Sequence, residues 1–223
     1  MENKSIDELN AMSGQKSKIK SEKKSKDSKG FDYIDFINHY FDVMKVPKRQ
    51  KDKRIDASKE LFDVILFFLV WCDKVSKPLD NKTLRMFENR YREVAFQYGE
   101  SDEYFDKYIP FIVNEIVYTT FKHKGDEYYT SVERAASIAV NEANSVINHV
   151  ELIDAIELGY KYKIWNTEQD NRVRETHKDL QGVSIPIKNH FIVGVYEMDM
   201  PHDTTYGAGA EEISNCRCWL TYK

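Results

Sequence analysis

The stretch from Thr130 to Gly159 constrains the fold of this chain more than any other part of the sequence. Small and aliphatic residues recur in it at helical spacing, and a glycine at its end is typical of the position that follows a helix. Thr130 or Ser131 can cap the helix start, and Glu133 lies in the first turn, where the helix dipole favours an anion. A stripe of small residues allows close helix packing. The stretch therefore predicts one long helix, or two helices joined near His149.

Helical spacing of apolar residues also marks the segments upstream, where prolines and glycines punctuate the pattern. The predicted helices span Phe31 to Met44, Ile55 to Val75, Lys82 to about Tyr98, and Asp102 to Lys122 with a bend at Pro110. Their aromatic residues follow the inner faces, so we expect them to form a packed core.

The period of the sequence changes after Gly159. Tyr160, Tyr162 and Ile164 alternate with two lysines, which predicts a strand that ends at Trp165. Shorter segments follow, predicted as a short helix within 170–180, strands at 183–185, 191–193 and 217–222, and a loop at 201–211. We therefore predict an α+β fold: a mostly helical N-terminal region, then a long helix and a small mixed or β-rich C-terminal cap, residues 160–223.

Charge divides the chain differently. Its net charge is −4, but residues 1–30 carry eight Lys and five acidic residues, so that the remainder carries −7. An acidic body is not typical of a dedicated DNA-binding surface. The Lys-rich segment has too few large apolar residues to fold, so we interpret residues 1–30 as a disordered arm. It could act as a solubilising tail, or it could tether a partner or contact DNA non-specifically.

The composition also limits the class of protein. Three cysteines in 223 residues make a disulfide scaffold improbable, and no secretory signal follows Met1. The longest apolar run, Val64 to Trp71, is far too short to span a bilayer. We expect synthesis in the cytoplasm and no membrane partner, with a virion as one final location.

Charged groups concentrate shortly after the predicted strand, at Asp170, Arg172, Arg174 and His177. Because the arginine side chain is a planar donor that pairs with carboxylates through two hydrogen bonds, Glu142 of the long helix is a candidate partner for Arg174. Such a set could form a structural network between cap and helix, a site for phosphate or a protein partner, or, with His177 as general base, a catalytic site.

The end of the chain reads Asn215-Cys216-Arg217-Cys218. Two sulfurs and the His177 imidazole would suit Zn²⁺, with a fourth ligand from Asp179, His202 or Asp203. The C-x-C spacing differs from the C-x₂₋₄-C of most structural zinc sites, so a reduced, buried thiol pair without a cofactor is the main interpretation. We expect Trp165 to pack between cap and helix, and Asn215 to bind loop backbone groups.

Taken in order, these residues resemble the phage Mu F-like family of minor head proteins. The resemblance rests on the run from Arg134 to Glu142 and on Asn148 of the long helix. It continues with Gly159, Trp165, Asp170, Arg172, Arg174, His177, Gly182, Pro201 and the terminal N-C-R-C. It covers residues 130–222, so we divide the chain into an arm (1–30), a helical region (31–128) and a Mu F-like head morphogenesis module (129–223). One departure is Val140-Asn141-Glu142, where the family usually carries an Arg-Thr-Glu-like triplet.

The resemblance implies a minor capsid protein that acts in procapsid assembly through portal or scaffold contacts and aids DNA packaging or delivery. It implies residence in the phage head and no settled enzymatic activity. The alternative drawn from the residues is a metal-assisted hydrolase or nuclease centred on His177 with Asp170, Cys216 and Cys218.

Overall fold

A computed structural model describes residues 30–75 and 79–223, and Asp32–Lys223 form one compact unit. The predicted disordered arm lies outside the described residues, apart from its last residue. The helices are α1 (Tyr33–Asp42), α2 (Lys48–Lys74), α3 (Asn81–Ala95), α4 (Glu103–Lys122), α5 (Val132–Glu157) and the short α6 (Glu175–Lys178) and α7 (Ala210–Ile213), with a 3-10 helix at Glu127–Thr130. The strands are β1 (Tyr162–Asn166), β2 (Ser184–Pro186), β3 (Phe191–Val193), β4 (Tyr196–Met198) and β5 (Trp219–Tyr222). The α+β fold is confirmed.

Side-chain caps start most of the long helices where the sequence places an acceptor. The side chains of Asp32, Asp80, Asp102 and Ser131 accept hydrogen bonds from backbone N–H groups in the first turns of α1, α3, α4 and α5. Such bonds satisfy donors that have no partner within the helix. The capping pattern therefore fixes where these helices begin.

The two longest helices differ in length from, or decide between, the lengths that the sequence predicts. The second helix begins at Lys48 instead of Ile55, because Pro47 can occupy the cap position and the polar residues after it continue the turn. The long helix is continuous through His149, which decides between the two alternatives in favour of one helix. Its central part is buried on nearly every side, since it packs along α2 and also under the cap.

The cap contains two small antiparallel sheets. One has the strand order β2-β1-β5, and β3 pairs with β4 in the other. The sequence does not predict β4 or the short helix α7. The start of α7 lies within the segment predicted as a loop, residues 201–211. A compact apolar cluster lies between the sheets and α5, and it includes Trp165, Phe191, Val193, Met198, Cys216, Cys218 and Leu220.

In the central strand β1 the buried side is not the one that a simple alternation of apolar and charged residues would give. Lys163 and Trp165 point inward and are buried, whereas Tyr162 is exposed. The charge of the Lys163 ammonium is balanced by Asp199, because Nζ donates to the Asp199 carbonyl at 2.7 Å and to its carboxylate at 3.1 Å. Burial of the large indole thus sets the register, and the buried lysine finds an acidic partner across the cap.

Candidate functional site: a buried cysteine and histidine cluster

His177, Cys216 and Cys218 meet inside the cap. The single turn α6 presents His177, and an irregular segment leading into β5 presents the two sulfurs. The His177 Nδ1 atom lies 3.5 Å from Cys216 Sγ and 3.4 Å from Cys218 Sγ. The three side chains are 1–2% exposed. We refer to these three residues as the Cys-His cluster.

A carboxylate orients the imidazole of this cluster. The His177 Nε2 atom donates to Glu212 Oε2 at 2.9 Å, and Thr176 Oγ1 donates to the same oxygen at 2.9 Å. Because Nε2 is held by Glu212, Nδ1 is the nitrogen that faces the sulfurs. The hydrogen bond from Nε2 to Glu212 therefore determines that Nδ1 is the ring nitrogen that can interact with the two sulfurs.

The two thiols are not equivalent. Burial raises the pKa of Cys216, but the polar groups of Cys218, His177 and His202 around the sulfur outweigh it and bring the pKa well below its usual value. The pKa of Cys218 lies well above its usual value, because of burial and then of the neighbouring Cys216. Burial lowers the pKa of His177, yet the Cys216 contact and the Glu212 charge raise it overall. The arrangement therefore favours a thiolate on Cys216 beside a cationic imidazole.

A second buried constellation, the Arg54 network, ties the cap to the helices. Arg54 of α2 is fully buried and donates to Asn144 Oδ1 at 2.8 Å, Asn148 Oδ1 at 2.7 Å and Glu151 Oε2 at 3.0 Å, all on α5. The amide of Asn144 in turn donates to the Cys216 carbonyl at 3.0 Å. A continuous chain of hydrogen bonds thus runs from α2 through α5 to the segment that carries the sulfurs.

Glu142 belongs to a different group from the one expected. Its Oε2 atom accepts hydrogen bonds from Tyr91 and Tyr108, both at 2.8 Å, and burial raises the pKa of the carboxyl. Arg174 instead donates to the Ser214 carbonyl at 2.5 Å. Since these partners satisfy both groups, the expected pairing of Arg174 with Glu142 is wrong. The tyrosines satisfy the buried carboxylate without bringing a second charge into the interior.

The other residues singled out in the sequence lie nearer the surface. Asp170 pairs with Arg217 at 2.7 Å, the Asn215 backbone N–H donates to Asn141 at 2.8 Å, and the Arg172 side chain is exposed. Trp165 is fully buried and packs edge-on against His177, as expected for a residue inside the cap. The structure thus gathers His177, both sulfurs and Trp165, but it separates them from Asp170, Arg172 and Glu142.

Sequence reasoning missed Arg54, Asn144 and Glu212 as members of these networks. Arg54 precedes the apolar stripe of α2, and nothing in its neighbourhood distinguishes it from the surface cations around it. Asn144 lies on a helix face otherwise made of small residues, where a polar side chain must find a buried partner. That position is the one signal that could have identified it.

The geometry does not support the hydrolase or nuclease alternative. Asp170 points to Arg217 and not to His177, and the Cys-His cluster is closed to solvent. In this conformation the sulfurs and the imidazole are not accessible to a substrate.

An open groove lies where α4, α5 and the cap meet. Its volume is about 940 Å³, and Phe111, Ile153 and Ile156 form exposed apolar lining. Glu103 and Lys107 of α4 also line it, and they form an ion pair with each other at 2.6 Å. This combination of large apolar residues with a charged border is typical of protein interfaces.

Comparison with known proteins identifies the chain. The model of the family described as Phage Mu protein F like protein matches residues 93–221, more than half of the sequence. The match includes α4, α5 and the cap, and thus both the groove and the Cys-His cluster.

No curated protein and no solved structure matches the chain. Among the described residues, no helix combines the length and apolar character needed to cross a bilayer. The chain belongs to the Phage Mu F-like family and is therefore a phage head morphogenesis protein.

Proposed function

We propose that the protein is a minor head protein that joins the procapsid through contacts with the portal protein. Family membership places it among capsid-related proteins of the virion, and the finer role rests on one contrast within the molecule. The Cys-His cluster is closed to solvent, whereas large apolar side chains line an open groove. A protein arranged in this way is suited to docking and not to turnover.

The groove is the surface we assign to the portal contact. Phe111, Ile153 and Ile156 would receive an apolar side chain of the portal, and the ion pair of Glu103 and Lys107 would form part of the polar border around it. The partner then contacts helices and cap together. In this proposal the helical region, residues 31–128, supplies the variable adaptor, and residues 129–223 supply the common anchor.

Co-expression with the portal protein of the same phage tests this assignment. We expect the wild-type chain and the portal to co-purify, and Phe111→Ser to weaken that association at least tenfold. Tyr118→Ser is the matched control, because Tyr118 is an exposed aromatic residue of the same helix that does not line the groove. Equal retention of the portal by both variants would remove the groove from the interface. Co-purification with the scaffold protein in place of the portal would reassign the partner.

Residues 1–30 supply a separate proposal, namely a non-specific DNA contact that aids packaging or delivery. An excess of lysines would neutralise phosphates, and such binding weakens steeply as salt is added. We expect DNA binding by the full chain to fall with increasing salt and to disappear when residues 1–30 are deleted. Binding that survives the deletion would assign it elsewhere. The protein would be made in the host cytoplasm and retained in the phage head.

A further inference from the structure

The Cys-His cluster already has the dimensions of a metal site. The ligand atoms of His177, Cys216 and Cys218 all lie within 4.8 Å of one another, and Nδ1 is 3.5 and 3.4 Å from the two sulfurs. In a tetrahedral zinc site the Zn–S and Zn–N bonds place nitrogen and sulfur about 3.6 Å apart. The two observed nitrogen–sulfur separations therefore match those of a bound zinc ion to within about 0.2 Å.

The surroundings of His177 are also those of a metal ligand. Ligating imidazoles usually donate their second N–H to a carboxylate, which fixes the tautomer and the ring orientation. Glu212 performs this role here at 2.9 Å, and Thr176 holds the same carboxylate oxygen. A thiol pair that only filled space would not require an oriented imidazole with a carboxylate behind it.

His202 is the candidate for the fourth ligand, but it lies outside the group whose ligand atoms are all within 4.8 Å of one another, so its side chain must turn towards the cluster to bind the same ion. Its side chain is 1% exposed and lies beside the Cys216 thiol, yet its Nδ1 atom has no hydrogen-bond partner. The Nε2 atom donates to the Cys216 carbonyl at 2.8 Å, and the Asn144 amide converges on the same oxygen. With the proton on Nε2, Nδ1 carries a lone pair in the interior. An unpaired buried acceptor is costly, and a metal ion would remove that cost.

The other two candidates for the fourth position do not fit. Asp179 is exposed on the far side of α6, and the carboxylate of Asp203 already accepts backbone N–H groups from Asp199 and Thr205 at 2.7 and 2.8 Å. His202 also holds a left-handed backbone conformation, with φ of 72°. Strain of this kind in a residue other than glycine is more often found where a side chain must be aimed.

We propose that His177, Cys216 and Cys218 bind one structural zinc ion, and that the His202 side chain turns to complete its coordination. Two thiolates and two imidazoles are the soft, tetrahedral donor set that zinc prefers, and four protein ligands leave no position for a catalytic water. The C-x-C spacing is workable here because the irregular segment from Cys216 to Cys218 already brings both sulfurs to within 3.5 Å of His177 Nδ1. The ion would join α6, the loop before α7 and the entry to β5, which are otherwise short elements with little regular structure of their own.

Metal content and cobalt spectroscopy test the proposal on the full-length protein. We expect about one zinc ion per chain after purification from zinc-supplemented cells. After unfolding, chelation and refolding with Co²⁺, we expect the visible absorption of tetrahedral cobalt and a thiolate-to-cobalt charge-transfer band. Wild-type protein that refolds without zinc or cobalt, and that shows the same thermal midpoint with and without metal, would overturn the proposal.

Variants separate the ligands from their surroundings. Cys218→Ser should lose the bound zinc, whereas Cys72→Ser, which removes a buried thiol of α2 outside the cluster, should retain it. Should Cys218→Ser fail to fold, the wild-type cobalt spectrum still decides the matter. His202→Ala should keep the charge-transfer band of the two thiolates but release the metal to a chelator at least tenfold faster. Unchanged release would remove His202 from the ligand set and leave a three-residue site.

Discussion

At the scale of the single residue, Arg54 shows how a buried charge is accommodated. Its side chain is inaccessible to solvent, and its donors reach the Gln50 carbonyl, two asparagine oxygens and the Glu151 carboxylate. A guanidinium can be buried only when its charge is balanced and its donors are occupied. Every acceptor except Gln50 comes from α5, so one side chain fixes the contact between the two longest helices.

Removal of Arg54 should therefore be costly. We expect Arg54→Ala to lower the free energy of unfolding by about 3–5 kcal/mol, because it leaves Glu151 and two amides without their buried partner. Lys53→Ala is the control, since Lys53 of α2 makes only a partly exposed 4.0 Å contact with Asp154 of α5. That change should cost less than about 1 kcal/mol. Urea unfolding measures both, and similar losses would show that the network does not stabilise the fold.

Glu142 makes a prediction about pH. Burial raises the pKa of its carboxyl above the ordinary 4.5, so the folded state keeps the proton where the unfolded state has lost it. Stability from this group is therefore present at low pH and decreases as pH rises from about 4.5 towards the folded pKa. Glu142→Gln, which cannot ionise, should lack this loss, so its stability relative to wild type should increase with pH. Urea unfolding from pH 4 to pH 7 measures the difference, and a constant difference would refute it.

At the scale of the element, α5 acts as the organiser of the C-terminal segment. Asn141, Asn144 and Asn148 follow one face of the helix, and their amides bind the backbone of the segment that carries the sulfurs. Backbone groups outside a sheet need such partners when they are buried. The helix therefore replaces the strand that the Cys216–Cys218 segment lacks.

This organisation predicts which pairs of residues are coupled. We expect Arg54→Ala and Asn144→Ala to be non-additive by about 1–3 kcal/mol, because they share a buried 2.8 Å hydrogen bond. Arg174→Ala and Glu142→Gln share no partner, and their effects should add within about 0.5 kcal/mol. Double-mutant cycles by chemical unfolding decide both cases, and a coupled Arg174–Glu142 pair would mean that the two groups meet after all.

At the scale of the whole molecule, helices and cap form one body from Asp32 to Lys223. Two buried layers hold them together: the Arg54 network, and the apolar cluster of the cap, which includes Leu152 and Ala155 of α5. A groove bordered by α4, α5 and the cap keeps its shape only if these parts do not separate. The proposed docking role therefore depends on this continuity.

A single unfolding transition follows from it. In a Trp71→Phe variant the remaining tryptophans, Trp165 and Trp219, both lie in the cap, whereas the far-ultraviolet circular dichroism reports mainly the helices. We expect thermal unfolding by fluorescence and by circular dichroism to coincide in this variant. A fluorescence transition several degrees below the helical one would show that the cap opens alone.

The sequence by itself determined the elements whose causes are local. Apolar spacing located α1, α3 and α4, the capping residue and small-residue stripe located α5, and the change of period after Gly159 located β1, because each depends on neighbours within a few positions. The Mu F-like resemblance was likewise readable from the order of its residues, and the family match over 93–221 confirms it. The proximity of His177 to the two sulfurs could be proposed from chemistry alone, because few other side chains in the chain suit the same partner.

Only the tertiary structure decided which polar groups meet. Arg54 and Asn144 are ninety positions apart, and no local pattern marks them as partners. Glu142 faces two tyrosines instead of an arginine, and Lys163 turns inward, because the burial of neighbouring aromatic residues fixes the register before charges are paired. Long-range partners of this kind depend on how helices and sheets pack, and packing is a property of the assembled fold that short stretches of sequence do not carry.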